Sequence, residues 1–293
     1  MHGSVNDAPD RRAGSADRPT ARLASPPAGG RPLWFAIWIL GFPLLFLLTL
    51  TVVFRLTNAD VAISGLFYGG ANEAWPWRKS EPWTTLYHYG PVPGLVLGIA
   101  GAVIALLGLF WSRLGSWREM GLFLVLLLAI GPGLVINGIF KPLWMRPRPQ
   151  QVGAFGGDYV FVSVWDFGPP EASKSFPCGH ASMGFFLMGP AFLLYRRRRS
   201  WAILFLLLGL VAGALLGLAR MAQGQHFLSD VIWSGGMVYL AGVILSYLFR
   251  LVEDARSKDR METTRPVILS LDGQNDPEMP TREPDDVGRR HAA

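Results

Sequence analysis

The sequence predicts an all-α integral membrane protein: a bundle of six transmembrane helices with disordered N- and C-terminal tails. Three observations carry that prediction. Hydrophobic residues make up 51% of the 293 and charged residues only 16%, a balance too apolar for an ordinary soluble domain. The charges gather outside long apolar runs. Those runs approach the roughly 20 residues that a membrane helix needs, and they fall at 33–54, 91–111, 120–140, 180–195, 201–219 and 230–249.

Residues 1–32 are rich in Arg, Pro, Ala, Gly and Asp and hold no hydrophobic centre followed by a cleavage-type ending. They read as a disordered cytoplasmic tail, and the first span as a retained signal-anchor rather than a removed signal peptide. The loop before the second span, 67–89, holds Tyr68, Trp75, Trp77, Trp83, Tyr87, His88 and Tyr89. Aromatics there read first as interfacial anchors, and otherwise as a wall for a headgroup, with Arg78 or His88 as further contacts. Gly131-Pro132-Gly133 predicts a kink in the third span. The fourth span is short and is completed by residues just before His180. Gly209, Gly213 and Gly217 share a face of the fifth span and predict close helix packing. The membrane domain is expected over 33–252, and 253–293 is expected to be a second disordered cytoplasmic tail, because mixed Pro, Asp, Glu and Arg offer little to build a core from.

Cytoplasmic flanks of membrane helices carry excess Lys and Arg. Arg11, Arg12, Arg18, Arg22 and Arg31, then Arg113 and Arg118, then Arg196 to Arg199, and finally Arg250, Arg256 and Lys258 all fall on one side of a six-span chain. Both termini are then cytoplasmic. The same positive-inside pattern accounts for the net charge of +6, so nucleic acid is not implied as a partner. Lys141, Arg146, Arg148, Lys174 and Arg220 fall on the opposite, outer side and want another reason.

Three outward clusters supply it. Lys141 ends the third span, and the proline-rich stretch Pro142 to Pro149 cannot stay helical, so Arg148 can fold back toward Lys141. A point charge and a planar fork together suit phosphate oxygens. Arg146 could replace Arg148 in that role, but reads rather as a solvated or headgroup-facing charge. In the second cluster, Pro177-Cys178-Gly179-His180 opens an apolar helix. Its free amides and dipole favour an anion, and Gly179 permits close approach. His180 stands in the first turn, placed to protonate a departing oxygen. The third cluster is Arg220, His226 and Asp230. His226 and Asp230 are spaced i, i+4, which on a helix lets the carboxylate hold one ring nitrogen and aim the other, the preparation an imidazole needs as base or nucleophile. A buried Arg220–Asp230 ion pair is the structural alternative.

The order Lys-x6-Arg-Pro, Pro-x-Gly-His, Arg-x5-His-x3-Asp resembles the type 2 phosphatidic acid phosphatase (PAP2) superfamily of membrane lipid phosphatases, by motif over roughly 137–236. The resemblance implies that His226 attacks phosphorus to form a phosphohistidine, Asp230 orients it, His180 protonates the leaving alcohol, and Lys141, Arg148 and Arg220 bind phosphate oxygens together with the Cys178-Gly179 turn. It implies no metal and no cofactor. Two positions depart from the pattern, Cys178 and Ala219 standing where the family usually has Ser; Cys178 is expected to serve mainly through its backbone N–H. The implied substrate is a membrane lipid phosphate or pyrophosphate: phosphatidic acid, phosphatidylglycerol phosphate, an isoprenoid pyrophosphate or lipid A phosphate. The long outer loops 67–89 and 150–174 lean toward the bulkier headgroups. The expected setting is the cytoplasmic membrane, with the active site on its outer face. A phosphotransferase with the same intermediate, and a non-catalytic lipid-phosphate binder or transporter, are the alternatives.

Other chemistry fits less well. A cysteine phosphatase would need an anion-binding Arg shortly after Cys178, where Gly184 stands instead. Zinc needs more clustered ligands than Cys178, His180 and His226 offer, and no P-loop is present.

Overall fold

A computed structural model describes residues 33–264. Of the tails expected to be disordered, 1–32 and the 265–293 part of 253–293 lie outside the described residues. Described elements are α1 (Leu33–Thr57), α2 (Ala59–Gly65), α3 (Trp83–Tyr89), α4 (Val92–Phe110), α5 (Gly115–Leu128), α6 (Lys141–Trp144), α7 (Gly179–Phe185), α8 (Gly189–Leu194), α9 (Arg199–Ala222) and α10 (Leu228–Thr264). Among the described residues there is no strand, only an isolated bridge between Val152 and Tyr159.

Among the described residues, five helical stretches are long and apolar enough to cross a membrane: Ile37–Thr57, Trp83–Phe110, Trp117–Gln151, Arg199–Ala222 and Leu228–Ser257. The shorter apolar stretch Gly179–Leu194 is the sixth element of the bundle. It stays short at its N-terminal end because Pro177 precedes it, so the residues before His180 form a turn and do not lengthen it. At the other end of the chain α10 runs on to Thr264, past the boundary at 252.

Gly131-Pro132-Gly133 lies within an irregular turn of the third span. Between α5 and α6 the helix widens to π geometry over Ala129–Phe140, since Pro132 lacks the N–H for a regular ladder. The Asn137 amide donates to the Pro132 carbonyl at 2.6 Å, which compensates one backbone group. Met145 then takes a left-handed conformation, φ 44°, and turns the chain inward at Arg146.

The glycine face of the fifth span packs as expected. A Cβ at Gly184 would come 2.6 Å from the Gly213 backbone, and one at Gly209 2.5 Å from Met188, so α9 lies directly against α7 and α8. The core at this level joins Phe176, Ala181, Phe185, Met188, Met221, Val231 and Val238. α1 is held more lightly, through Leu47 and through Trp233, whose indole donates to Thr51 Oγ1 at 2.8 Å. Many of its apolar side chains, such as Phe42 and Leu45, face outward, as lipid-facing positions do.

The ends of α6 and α9 and the starts of α7 and α10 meet at one end of the bundle. Above them the loops 67–89 and 150–174 pack on each other: Trp75, Val152, Phe155 and Phe227 form one buried cluster with Tyr68 and Phe161 against it. Trp75 is therefore a packing residue and not an interfacial anchor.

Candidate active site

The three motif clusters converge at that end. Gly179 joins the first two, since a Cβ there would stand 3.0 Å from Asn137 Oδ1 and 3.3 Å from Lys141 Nζ. Gln225 joins the first and third: its Oε1 accepts from Arg148 Nη1 at 2.6 Å and from Arg220 Nη2 at 3.5 Å. Tyr87 of α3 joins the second and third, stacking on His180 at 4.9 Å between centroids while the Arg220 guanidinium lies 4.6 Å over its ring. Arg220 also donates to Gln223 Oε1 at 2.6 Å. Gln223 in turn donates to the Trp83 carbonyl at 3.2 Å, so α3 is latched to the end of α9.

The nucleophile candidate sits on a turn, not on a helix. Gly224 adopts φ +68°, and its missing Cβ leaves room for the Trp75 ring, which a side chain there would strike at 2.4 Å. α10 begins only at Leu228, so the i, i+4 pair does not share a helical face. Proximity has another cause. Asp230, third in the helix, reaches back so that its Oδ2 accepts the Phe227 N–H at 2.8 Å, half of a capping box. Oδ2 also accepts from Ser175 Oγ at 2.6 Å. His226 Nδ1 lies 3.6 Å from the same oxygen, an electrostatic contact longer than a hydrogen bond. His226 and Asp230 are both buried.

Arg146 is not a surface charge. It is wholly buried, with Nη1 donating to Asp230 Oδ1 at 2.5 Å and Nη2 to Asp60 Oδ2 at 2.9 Å. Burial of a lone cation would be prohibitive, and two carboxylates offset that cost. Asp230 thus pairs with Arg146, and the alternative pairing with Arg220 is not formed.

Cys178 also differs from expectation. Its N–H donates to the Asp230 carbonyl at 3.3 Å, so that amide is engaged before any phosphate arrives. Its thiol is buried beside His226. Burial raises the thiol pKa, but the neighbouring imidazole outweighs this and lowers it overall. For His226, burial lowers the pKa, while the Cys178 thiol and the Asp230 carboxylate more than reverse that and hold it above the ordinary imidazole value.

Arg148 Nε and Arg220 Nε are buried donors with no protein partner among the described residues. Such N–H groups cost on the order of 1–3 kcal/mol when left unpaired, and an anion's oxygens would relieve that cost. Asp60, Tyr87, Gln223, Gln225, Ser175 and Ser229 are the site residues that motif spacing missed. Asp60 had one available signal, a carboxylate placed directly after an apolar span.

The PAP2 superfamily profile matches residues 121–256. Among similar proteins, the Lipid A 4'-phosphatase of Francisella tularensis subsp. novicida is 33% identical over 199 residues, covering 67% of this chain and 89% of that one. The Lipid A 4'-phosphatase of Rhizobium leguminosarum is 31% identical over 121 residues, 40% of this chain and 50% of that one. The crystal structure of a transmembrane PAP2 type phosphatidylglycerolphosphate phosphatase from Bacillus subtilis is similar at 23% identity and TM-score 0.47, over 74% of this chain and 97% of that one.

Proposed function

The chain belongs to the PAP2 superfamily and is a membrane lipid phosphatase, and from that premise we propose that it removes a phosphate from a lipid A-type glycolipid through a phosphohistidine at His226. The observation that carries the mechanism is the meeting of Lys141 and Arg148 from one stretch of chain and Arg220 from another beside His180 and His226. The two orphaned guanidinium N–H groups and the point charge of Lys141 take the phosphate oxygens. The ring nitrogen of His226 turned away from Asp230 attacks phosphorus. The bond from phosphorus to the sugar oxygen breaks, its electron pair stays on that oxygen, and His180 supplies the proton. Water, deprotonated by His180, then attacks phosphorus; the P–N bond breaks, and inorganic phosphate leaves with His226 restored. Lipid A as substrate is supported by the named activity of the relatives.

The test is phosphate release by purified protein in detergent from lipid A, phosphatidic acid, phosphatidylglycerol phosphate and an isoprenoid pyrophosphate. Lipid A should be turned over fastest, with activity surviving EDTA, since the charge-stabilising groups are side chains. Turnover lost to chelation and restored by a divalent cation would overturn the mechanism, and preference for another lipid would overturn the substrate.

The site is proposed to face outward with both termini cytoplasmic, as the Arg distribution expects. Cys178→Ser should keep most activity, because it preserves size and the backbone bond to Asp230, whereas Cys178→Leu should abolish activity by overfilling a buried site. In the thiol-free Cys178→Ser chain, a cysteine placed within 150–174 should react with an impermeant reagent on intact cells. Labelling only after lysis would reverse the topology.

A further inference from the structure

We propose that Asp60, Arg146 and Ser229 form a buried positioning clamp that sets the angle of Asp230 and through it the nucleophile; this rests on the reading of His226 as the attacking group. None of the three can reach a substrate: their relative exposures are 2%, 0% and 3%. Their polar atoms are spent on one another, on Asp230 and on the Val162 carbonyl. Arg146 Nη1 donates to Asp230 Oδ1 at 2.5 Å and to Ser229 Oγ at 2.9 Å, Nη2 to Asp60 Oδ2 at 2.9 Å, and Nε to the Val162 carbonyl at 2.8 Å. Asp60 accepts the Ser229 N–H on Oδ1 at 3.0 Å and the Ser229 hydroxyl on Oδ2 at 2.5 Å. A carboxylate from α2 therefore caps α10 from outside, at the helix's second amide, where a local Ser or Asp usually serves. Phe227 closes the remaining side, with the guanidinium carbon 4.4 Å over its ring.

The division of labour on Asp230 is the reason to read this as more than packing. Oδ1 is tied to Arg146, while Oδ2 is the oxygen nearest His226 Nδ1. The Arg146 fork, its other arm anchored on Asp60, holds Oδ1 while Ser175 and the Phe227 N–H hold Oδ2, so the carboxylate is fixed at both ends and its aim at His226 with it. An apolar substitute for the Asp60–Arg146 pair could fill the volume at no cost in stability, but it could not fix that plane. The charges also matter. Asp60, Arg146 and Asp230 sum to one negative charge, which balances the positive charge His226 gains when protonated or phosphorylated. Other groups bearing on His226 are Cys178 ahead of α7 and His180 on α7, with Arg220 on α9 and Lys141 on α6 acting on these in turn.

Asp60→Asn in the purified full chain is the decisive variant, assayed on lipid A in mixed micelles. It should lower kcat by about 10- to 100-fold, as loss of an orienting partner does, with KM within about 2-fold. Removing one negative charge should also lower the His226 pKa, so the acid limb of kcat/KM should move to lower pH by about half a unit. Ser229→Ala should give a smaller loss of kcat in the same sense, and keeps the test alive if Asp60→Asn does not fold. Asp60→Glu should recover part of the rate. A lowered melting temperature with unchanged kcat and an unmoved limb would reduce the clamp to a fold element and overturn the proposal. Should the wild type release no phosphate from any lipid, the functional reading fails, and NMR titration of His226 in Asp60→Asn still judges the clamp: a downward shift supports it and no shift refutes it.

Discussion

His226→Ala will abolish lipid-phosphate turnover while leaving the folded bundle and lipid binding in place. The imidazole lies 3.6 Å from Asp230 with no hydrogen bond through Nδ1, and its other neighbour is the weakly bonding Cys178 thiol, so its removal strands no strong partner. The lysine and two arginines proposed to grip phosphate stay where they are. A covalent route has no substitute for the attacking group, and loss on the order of 10⁵-fold or more in kcat is expected. Incubating wild type with labelled lipid A phosphate and quenching in base should trap label on the protein, and His226→Ala should carry none. Label retained in that variant, or phosphate release within about 100-fold of wild type, would remove His226 from the centre of the reaction.

Asp230→Asn is expected to cost roughly 10³- to 10⁴-fold in kcat, as the loss of an orienting carboxylate does elsewhere. Here it should also cost stability, for a reason specific to this site. Asp230 receives donors on both oxygens: Arg146 on Oδ1, and Ser175 and the Phe227 N–H on Oδ2. Whichever way an asparagine amide is flipped, its NH₂ meets a donor. A buried donor facing a donor costs on the order of 1–3 kcal/mol, so a melting temperature several degrees lower should accompany the kinetic loss. A near-wild-type rate with lowered stability would assign Asp230 to holding Arg146 alone.

Much of this was legible in the sequence because membranes simplify the reading. Hydropathy marks the spans, since only helices can satisfy their backbones in lipid, and the motif residues Lys141, Arg148, His180, Arg220, His226 and Asp230 do converge. What spacing could not reveal depends on loops. His226 and Asp230 looked like a helical i, i+4 pair, yet Gly224 and a capping interaction bring them together. Arg146 and Arg148 differ by two residues and share a chemistry, and only the left-handed turn at Met145 sends one inward and the other to Gln225. Cys178 was assigned an amide for phosphate, but that amide's acceptor is a carbonyl of α10, distant in sequence. Asp60 belongs to no local pattern; its partners lie on the far side of the chain order.

That last separation bears on biogenesis. Asp60 leaves the ribosome long before Arg146 is made, and Ser229 and His226 come near the end. Its carboxylate waits first for Arg146 and then for Ser229, and the proposed nucleophile His226 is translated only just before Ser229. The proposed nucleophile and its proposed clamp can therefore be completed only when α10 docks against α2. A polypeptide trimmed to 121–256, the stretch matched by the superfamily profile, would retain every motif residue and lack Asp60, and supplying Leu33–Gly65 as a separate insertable fragment is the complementation experiment that this order of assembly invites.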